Sequence, residues 1–208
     1  MGRPARVSPD RILAAAALEF AAHGFAGARV DRIARRARVN KAMLYYHFKS
    51  KQRLYRVLLR QMFTQAVQPL QVIASGSVTP AEKIDRAIGA LAAFLEQHPF
   101  FPAIMLREVA EGGAHLDKET LTALAAVPRT VGGIVQEGVA AGAFRQVHPI
   151  FAYFSMLAPM VFFLAGAPIR KELSHQHVID MTALSAAEFV SHLQETTRRS
   201  LARDAGEL

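Results

Sequence analysis

The sequence predicts an all-α protein, with a three-helix unit at the N-terminus and a larger helical unit after it, about nine helices in total. Three observations carry this. Apolar residues recur at the i, i+3, i+4, i+7 spacing of buried helix faces. Capping residues and Gly or Pro breaks divide the 208 residues into helix-sized lengths. No alternating strand pattern of convincing length interrupts them.

Ser8-Pro9 starts the first helix, a hydroxyl cap with proline at the first helical position, and Gly24 stops it after Leu13, Ala16, Ala17 and Phe20. Val30, Ile33, Ala34 and Ala37 form the buried face of the second helix, which breaks at Arg38-Val39. Asn40 caps the third, whose Leu44 and Phe48 turn to one side. Ser50 caps a long fourth helix from Lys51 to about Gln68, where Pro69 is expected to end it. At that length it spans about 27 Å. Ser75-Gly76-Ser77 is a loop, and Thr79-Pro80-Ala81-Glu82 is a capping box opening the fifth helix, which presents Ile84, Ile88, Leu91 and Leu95 before His98-Pro99. The sixth covers about Pro102–Glu111 and stops at Gly112-Gly113; the seventh runs from about Asp117 to Ala141, broken or kinked at Pro128. Pro149 opens the eighth helix, a polar loop covers Arg170–His177, and Ser185-Ala186-Ala187-Glu188 caps a ninth that ends near Ala205.

Charge is concentrated at one end. Residues 1–60 hold fourteen Lys and Arg against Asp10, Glu19 and Asp31, a net +11, and the remainder is −3. The second and third helices, a tight break between them, and an excess of basic and aromatic residues on the third are how a helix-turn-helix presents a recognition helix to DNA. Gly2-Arg3-Pro4 at the start reads either as a basic arm for the minor groove or as a solvated tail.

At Val30-Asp31-Arg32-Ile33-Ala34 and Leu44-Tyr45-Tyr46-His47-Phe48-Lys49-Ser50-Lys51, closed by Leu54, the chain resembles the tetracycline-repressor (TetR) family of bacterial regulators. The clear resemblance covers about residues 8–60. It departs from the family pattern at Ala28, where threonine is usual, and at Arg38, where glycine is usual; Ala42 keeps the small residue normally found there. A left-handed turn at Arg38 would cost about 1 kcal/mol. The resemblance implies a DNA-binding domain at 1–50 and an effector-binding and dimerisation domain at 51–208. It places Tyr45, His47 and Lys51 at DNA phosphates, which fix register without reading sequence. Lys41, Met43 and Tyr46 are suited to base edges or thymine methyls, with core packing as the alternative for Met43 and Tyr46. Arg29 and Ala42 complete the expected surface.

The resemblance further implies a cavity for a small effector among the later helices. Phe94, Phe101, Met105, Phe154 and Met160 are candidates to line it, since adaptable apolar pockets use aromatic and methionine side chains. A homodimer is expected through the helices near 149–166 and 186–205, because the eighth helix is apolar all round and one monomer core covers only one side. Its Tyr153, Phe154, Leu157, Val161 and Leu164, with Ala187, Val190, Leu193 and Leu201 of the ninth, are the expected contacts.

Other function classes fit poorly. The chain has no cysteine, which excludes disulfides, zinc–thiolate sites and thiol catalysis. No phosphate-binding glycine loop, nucleophile elbow or catalytic triad is present, so no enzyme and no cofactor are expected. His175, His177 and Asp180 sit in a polar loop and read as solvated rather than as metal ligands, so no metal is expected. The uncharged run 149–169 is long enough to span a membrane, but Pro159 and its small residues favour a helix buried in protein. The start carries no apolar signal core, and a cytoplasmic location is expected. The expected function is a ligand-responsive, operator-binding regulator, with an effector-independent DNA-binding protein and, behind it, a membrane-attached helical protein as the alternatives.

Overall fold

The computed structural model describes residues 8–203. The basic arm at Gly2-Arg3-Pro4 and the expected helix end near Ala205 lie outside them. The described residues form ten helices and no strand: α1 (Pro9–Gly27), α2 (Val30–Ala37), α3 (Lys41–Phe48), α4 (Lys51–Ser75), α5 (Pro80–Gln97), α6 (Phe101–Ala110), α7 (Lys118–Ala140), α8 (Pro149–Ala165), α9 (Ala167–His175) and α10 (Ala186–Leu201). They fall into two compact units, one from the chain up to Met62 with Ala103–Thr122, the other from Phe63–Pro102 with Ala123–Leu208.

The tenth helix is α9, which occupies most of the expected polar loop at Arg170–His177. Pro69 does not end α4 as expected. α4 runs past Pro69 to Ser75 and α7 runs through Pro128. A proline inside a helix loses one backbone hydrogen bond and crowds the preceding turn. Here Val67 and Leu70 around Pro69, and Val127 and Val131 around Pro128, are buried, so packing on both sides offsets that loss. Gly24 does not end α1 either; it puts a kink in it, with φ 66°, and the helix resumes to Gly27.

In the first unit α1, α2 and α3 close on a core of Ile12, Phe20, Ile33 and Leu44, with Leu54 and Leu58 from the start of α4. Tyr55 joins Phe20 and Phe25 there, its ring meeting theirs edge-on at 4.7 and 5.2 Å. Glu19, only 3 % exposed, accepts from the Arg29 backbone N–H at 3.0 Å and from Arg32 Nε at 2.5 Å, tying α1 to the start of α2.

In the second unit α5, α8 and α10 pack on one another. Both expected capping boxes form, Thr79 with Glu82 and Ser185 with Glu188. Lys83, buried on α5, holds both carboxylate oxygens of Glu137 on α7 at 2.8 Å. Arg198 of α10 reaches Asp85 of α5 at 2.6 Å. The apolar run at 149–169 is divided at Gly166 into α8 and α9, bent by 47°. No single helix among the described residues is long and apolar enough to cross a membrane; only that bent pair reaches the length and composition together.

Candidate nucleic-acid interface

The second and third helices are joined by a turn in a conformation rare for a residue other than glycine. Arg38 takes φ 54° and ψ 46°, the left-handed region, and the N–H groups of Arg38 and Val39 close α2 onto its last carbonyls. Asn40 then accepts from the Met43 N–H at 2.7 Å and starts α3. Leu44 and Phe48 are buried, and these two anchors set which face of α3 is left outside.

That outer face carries the residues expected from sequence. Lys41, Ala42, Tyr45 and Tyr46 are exposed, and Met43 and His47 are half-buried. Tyr46 is the most open, at 72 %, which favours its role as a contact residue over a core one. The Lys41 ammonium pairs with Asp31 of α2 at 2.9 Å, and that bond and charge raise its pKa. Arg29, not Ala28, is the N-cap of α2; it is exposed and makes no side-chain cap.

Lys51 is turned toward the end of α1. Its Nζ donates to the carbonyls of Phe25, Ala26 and Ala28 at 2.8, 3.3 and 3.2 Å, and lies 4.6 Å from the Phe25 ring centroid. An ammonium has three N–H donors. All three are directed at the C-terminal end of α1, where unpaired carbonyls and the helix dipole favour a cation. Sequence reasoning missed this because the acceptors are backbone atoms more than twenty positions away. It also passed over Arg35 and Arg36, which with Arg32, His23 and Glu19 border an open cleft of about 400 Å³. Their position on the polar side of α2 was the available signal.

The effector candidates separate. Phe94 and Phe101 are buried and meet edge-on at 5.2 Å, with Phe63 against Phe101 at 5.8 Å. Met160 is fully buried. Met105 is half-buried and belongs to the first unit. Phe154 is 57 % exposed on the outer side of α8 with Phe151 and Phe162, so it does not join the buried cluster. The helical turn explains this: Tyr153, Met156 and Met160 take the inward side. His175, His177 and Asp180 are all exposed, and Asp180 is occupied by the N–H and hydroxyl of Thr182.

A three-helix scaffold with an exposed basic and aromatic third helix defines a DNA-binding protein of the helix-turn-helix class. The sequence profile of bacterial regulatory proteins of the tetR family matches residues 12–58, and that of the tetracycline repressor-like C-terminal domain matches residues 80–190. The chain belongs to the TetR family, whose members are transcriptional regulators and not enzymes. It is 28 % identical over 199 residues to the HTH-type transcriptional repressor NicS of Pseudomonas putida, covering 93 % of this chain and 92 % of that one. With the HTH-type transcriptional regulator RutR of Escherichia coli it shares 27 % over 178 residues, 81 % and 84 % of the two chains. Its fold matches the transcriptional regulator FadR from Bacillus subtilis, solved in complex with stearoyl-CoA. That match has a TM-score of 0.76 at 16 % identity and covers 93 % of this chain and all of the other.

Proposed function

We propose that this protein is a repressor that binds a near-palindromic operator as a homodimer and leaves it when an apolar or amphipathic effector binds. Residues 1–50 read DNA and residues 51–208 bind effector and dimerise. The observation that carries the DNA reading is the exposed outer face of α3, held by buried Leu44 and Phe48. Lys41, Met43 and Tyr46 address base edges; Tyr45, His47, Arg29, Arg35 and Arg36 address phosphates, with Ala42 allowing close approach. Lys51 positions this face through the end of α1 instead of touching DNA. Selection of duplexes by the full chain, followed by sequencing, tests the assignment. Tyr46→Ala should alter preference among sites by about 1–3 kcal/mol. An unchanged preference would remove Tyr46 from the base-reading face.

Dimerisation through α8 and α10 is supported by the exposed Phe151, Phe154 and Phe162 along α8. Leu193 and Leu201 are buried within the chain itself, so on α10 the candidates reduce to Ala187 and Val190. A two-fold pair would set two recognition helices about 34–36 Å apart, one turn of DNA. Sedimentation at micromolar concentration should give a dimer, and a monomer would defeat this reading. Such a regulator works in the cytoplasm, where its operator is.

The effector reading rests on the Phe63–Phe94–Phe101 cluster and Met160. The stearoyl-CoA in the FadR complex makes a long-chain acyl group the first candidate to test. On the output side, Tyr55 of α4 donates to Glu108 of α6 at 2.8 Å, so a shift of α6 is felt at the helix that follows the DNA-reading unit. Stearoyl-CoA is titrated with and without operator. Coupling of about 1–3 kcal/mol is expected, and operator must weaken effector binding by the same factor. Equal affinity in both titrations would show that the acyl site is not the switch.

A further inference from the structure

The end of α6 carries a cluster of which the effector reading uses only the Tyr55–Glu108 hydrogen bond. Gly112 and Gly113 take φ 67° and 76° and turn the chain back on itself, with the Gly113 N–H on the Glu108 carbonyl. The reversal returns His115 to the last turn of α6. Its Nδ1 stands 3.1 Å from Glu108 Oε2 and 3.2 Å from Glu111 Oε2, and one ligand atom from each residue lies within 4.8 Å of the others. Four-coordinate zinc with nitrogen and oxygen ligands at about 2.0–2.2 Å has ligand–ligand edges of about 3.3–3.5 Å. Two of the three edges are therefore already close to that length.

Charge points the same way. Glu108 is 2 % exposed, yet its partners are the Tyr55 hydroxyl at 2.8 Å, the His115 N–H at 3.0 Å and the His115 ring. Among the described residues, no Lys or Arg forms a salt bridge with it. With a neutral imidazole the three side chains carry a charge of −2, and an imidazolium with its single Nδ1–H shared between two carboxylates still leaves −1. A divalent cation brings the cluster to zero. Glu108 also sits in the last turn of α6 and Glu111 directly follows its end, where the helix dipole disfavours anions and favours a cation. The Tyr55 hydroxyl and the His115 N–H fix the Glu108 carboxylate as outer hydrogen-bond donors fix a metal ligand.

We propose that Glu108, Glu111 and His115 form a site for a divalent cation of the zinc class, bound by two carboxylates and the Nδ1 of an imidazole. Nitrogen and oxygen ligands without thiolate suit zinc or a neighbouring transition metal better than calcium or magnesium. The His115 ring packs on Phe25 of α1 at 4.1 Å and meets Tyr55 of α4 edge-on at 5.9 Å. A bound ion thus fastens the end of α6 to α1 and to the start of α4.

The test uses the metal-stripped full chain, titrated calorimetrically with zinc chloride. One zinc per chain is expected, with a rise in melting temperature. Glu111→Gln should weaken binding by about tenfold or more. Glu111 is 42 % exposed, so that variant should keep the native circular dichroism. His115→Asn should weaken binding similarly, and the double change His175→Ala and His177→Ala should leave it unaltered. Absence of stoichiometric binding to the native chain would overturn the proposal. So would binding that survives both Glu111→Gln and His115→Asn.

Discussion

Lys51 and Phe25 meet twice: the ammonium donates to the Phe25 carbonyl at 2.8 Å and lies 4.6 Å from the centre of its ring. The same nitrogen also holds the carbonyls of Ala26 and Ala28. The Lys51 side chain thus closes off carbonyls at the C-terminal end of α1. Lys51→Met keeps the aliphatic stem and removes the donors, leaving carbonyls unpaired. The free energy of unfolding should fall by about 1–3 kcal/mol in a urea titration. The slope of log affinity for DNA against log salt should stay as it was. A loss of about 0.9 from that slope would return Lys51 to the DNA surface.

Arg38 holds a left-handed backbone that glycine adopts freely and arginine does not. Arg38→Gly should stabilise the protein by about 0.5–1 kcal/mol, the relieved strain less the greater freedom of glycine in the unfolded chain. Arg38 is exposed, so no packing is lost. An unchanged or lower denaturation midpoint would show that the turn between α2 and α3 carries no strain.

Glu19 makes the first unit sensitive to acid. Burial raises the pKa of its carboxyl, but the Arg29 N–H and the Arg32 guanidinium outweigh burial and hold it below the ordinary value of 4.5. A carboxylate with a lower pKa in the folded state stabilises that state fully above its unfolded pKa, and the stabilisation is lost as pH falls through the folded pKa. The native chain should therefore lose stability on acidification below about pH 4.5. Glu19→Gln should be less stable than native at pH 7, by about 1–3 kcal/mol, and show a flatter profile through the acid range. Parallel pH profiles for the two proteins would remove Glu19 from the acid response.

Gly138 leaves room for Phe144. A Cβ built on Gly138 would stand inside the van der Waals surface of the Phe144 ring, which is buried where the chain leaves α7. Gly138→Ala gains helix propensity of about 1 kcal/mol but forces that ring out of its place. Overpacking should win, with a net loss of about 1–3 kcal/mol in thermal or urea unfolding. A more stable variant would mean that Phe144 moves aside at little cost.

The order and kind of helices are written locally, which is why the sequence alone determined them. Ser8, Asn40, Ser50, Thr79 and Ser185 each cap a helix through their own side chain within a few residues. Leu44 and Phe48, four apart, fix which side of α3 faces out, so the outward side of α3 was legible by spacing. Pro69 was misread as the end of α4 because its local cost is real, and only the burial of Val67 and Leu70 decides that the helix continues. α9 is half polar along its length and shows no buried residue, so its sequence resembled a loop. What tertiary structure alone decided are the contacts between residues far apart in the chain. Lys51 reaches carbonyls 23 to 26 residues back, and Tyr55 reaches Glu108 across 53 residues. Hydrogen bonds of that kind depend on where the backbone has been brought by packing, and no spacing rule encodes them.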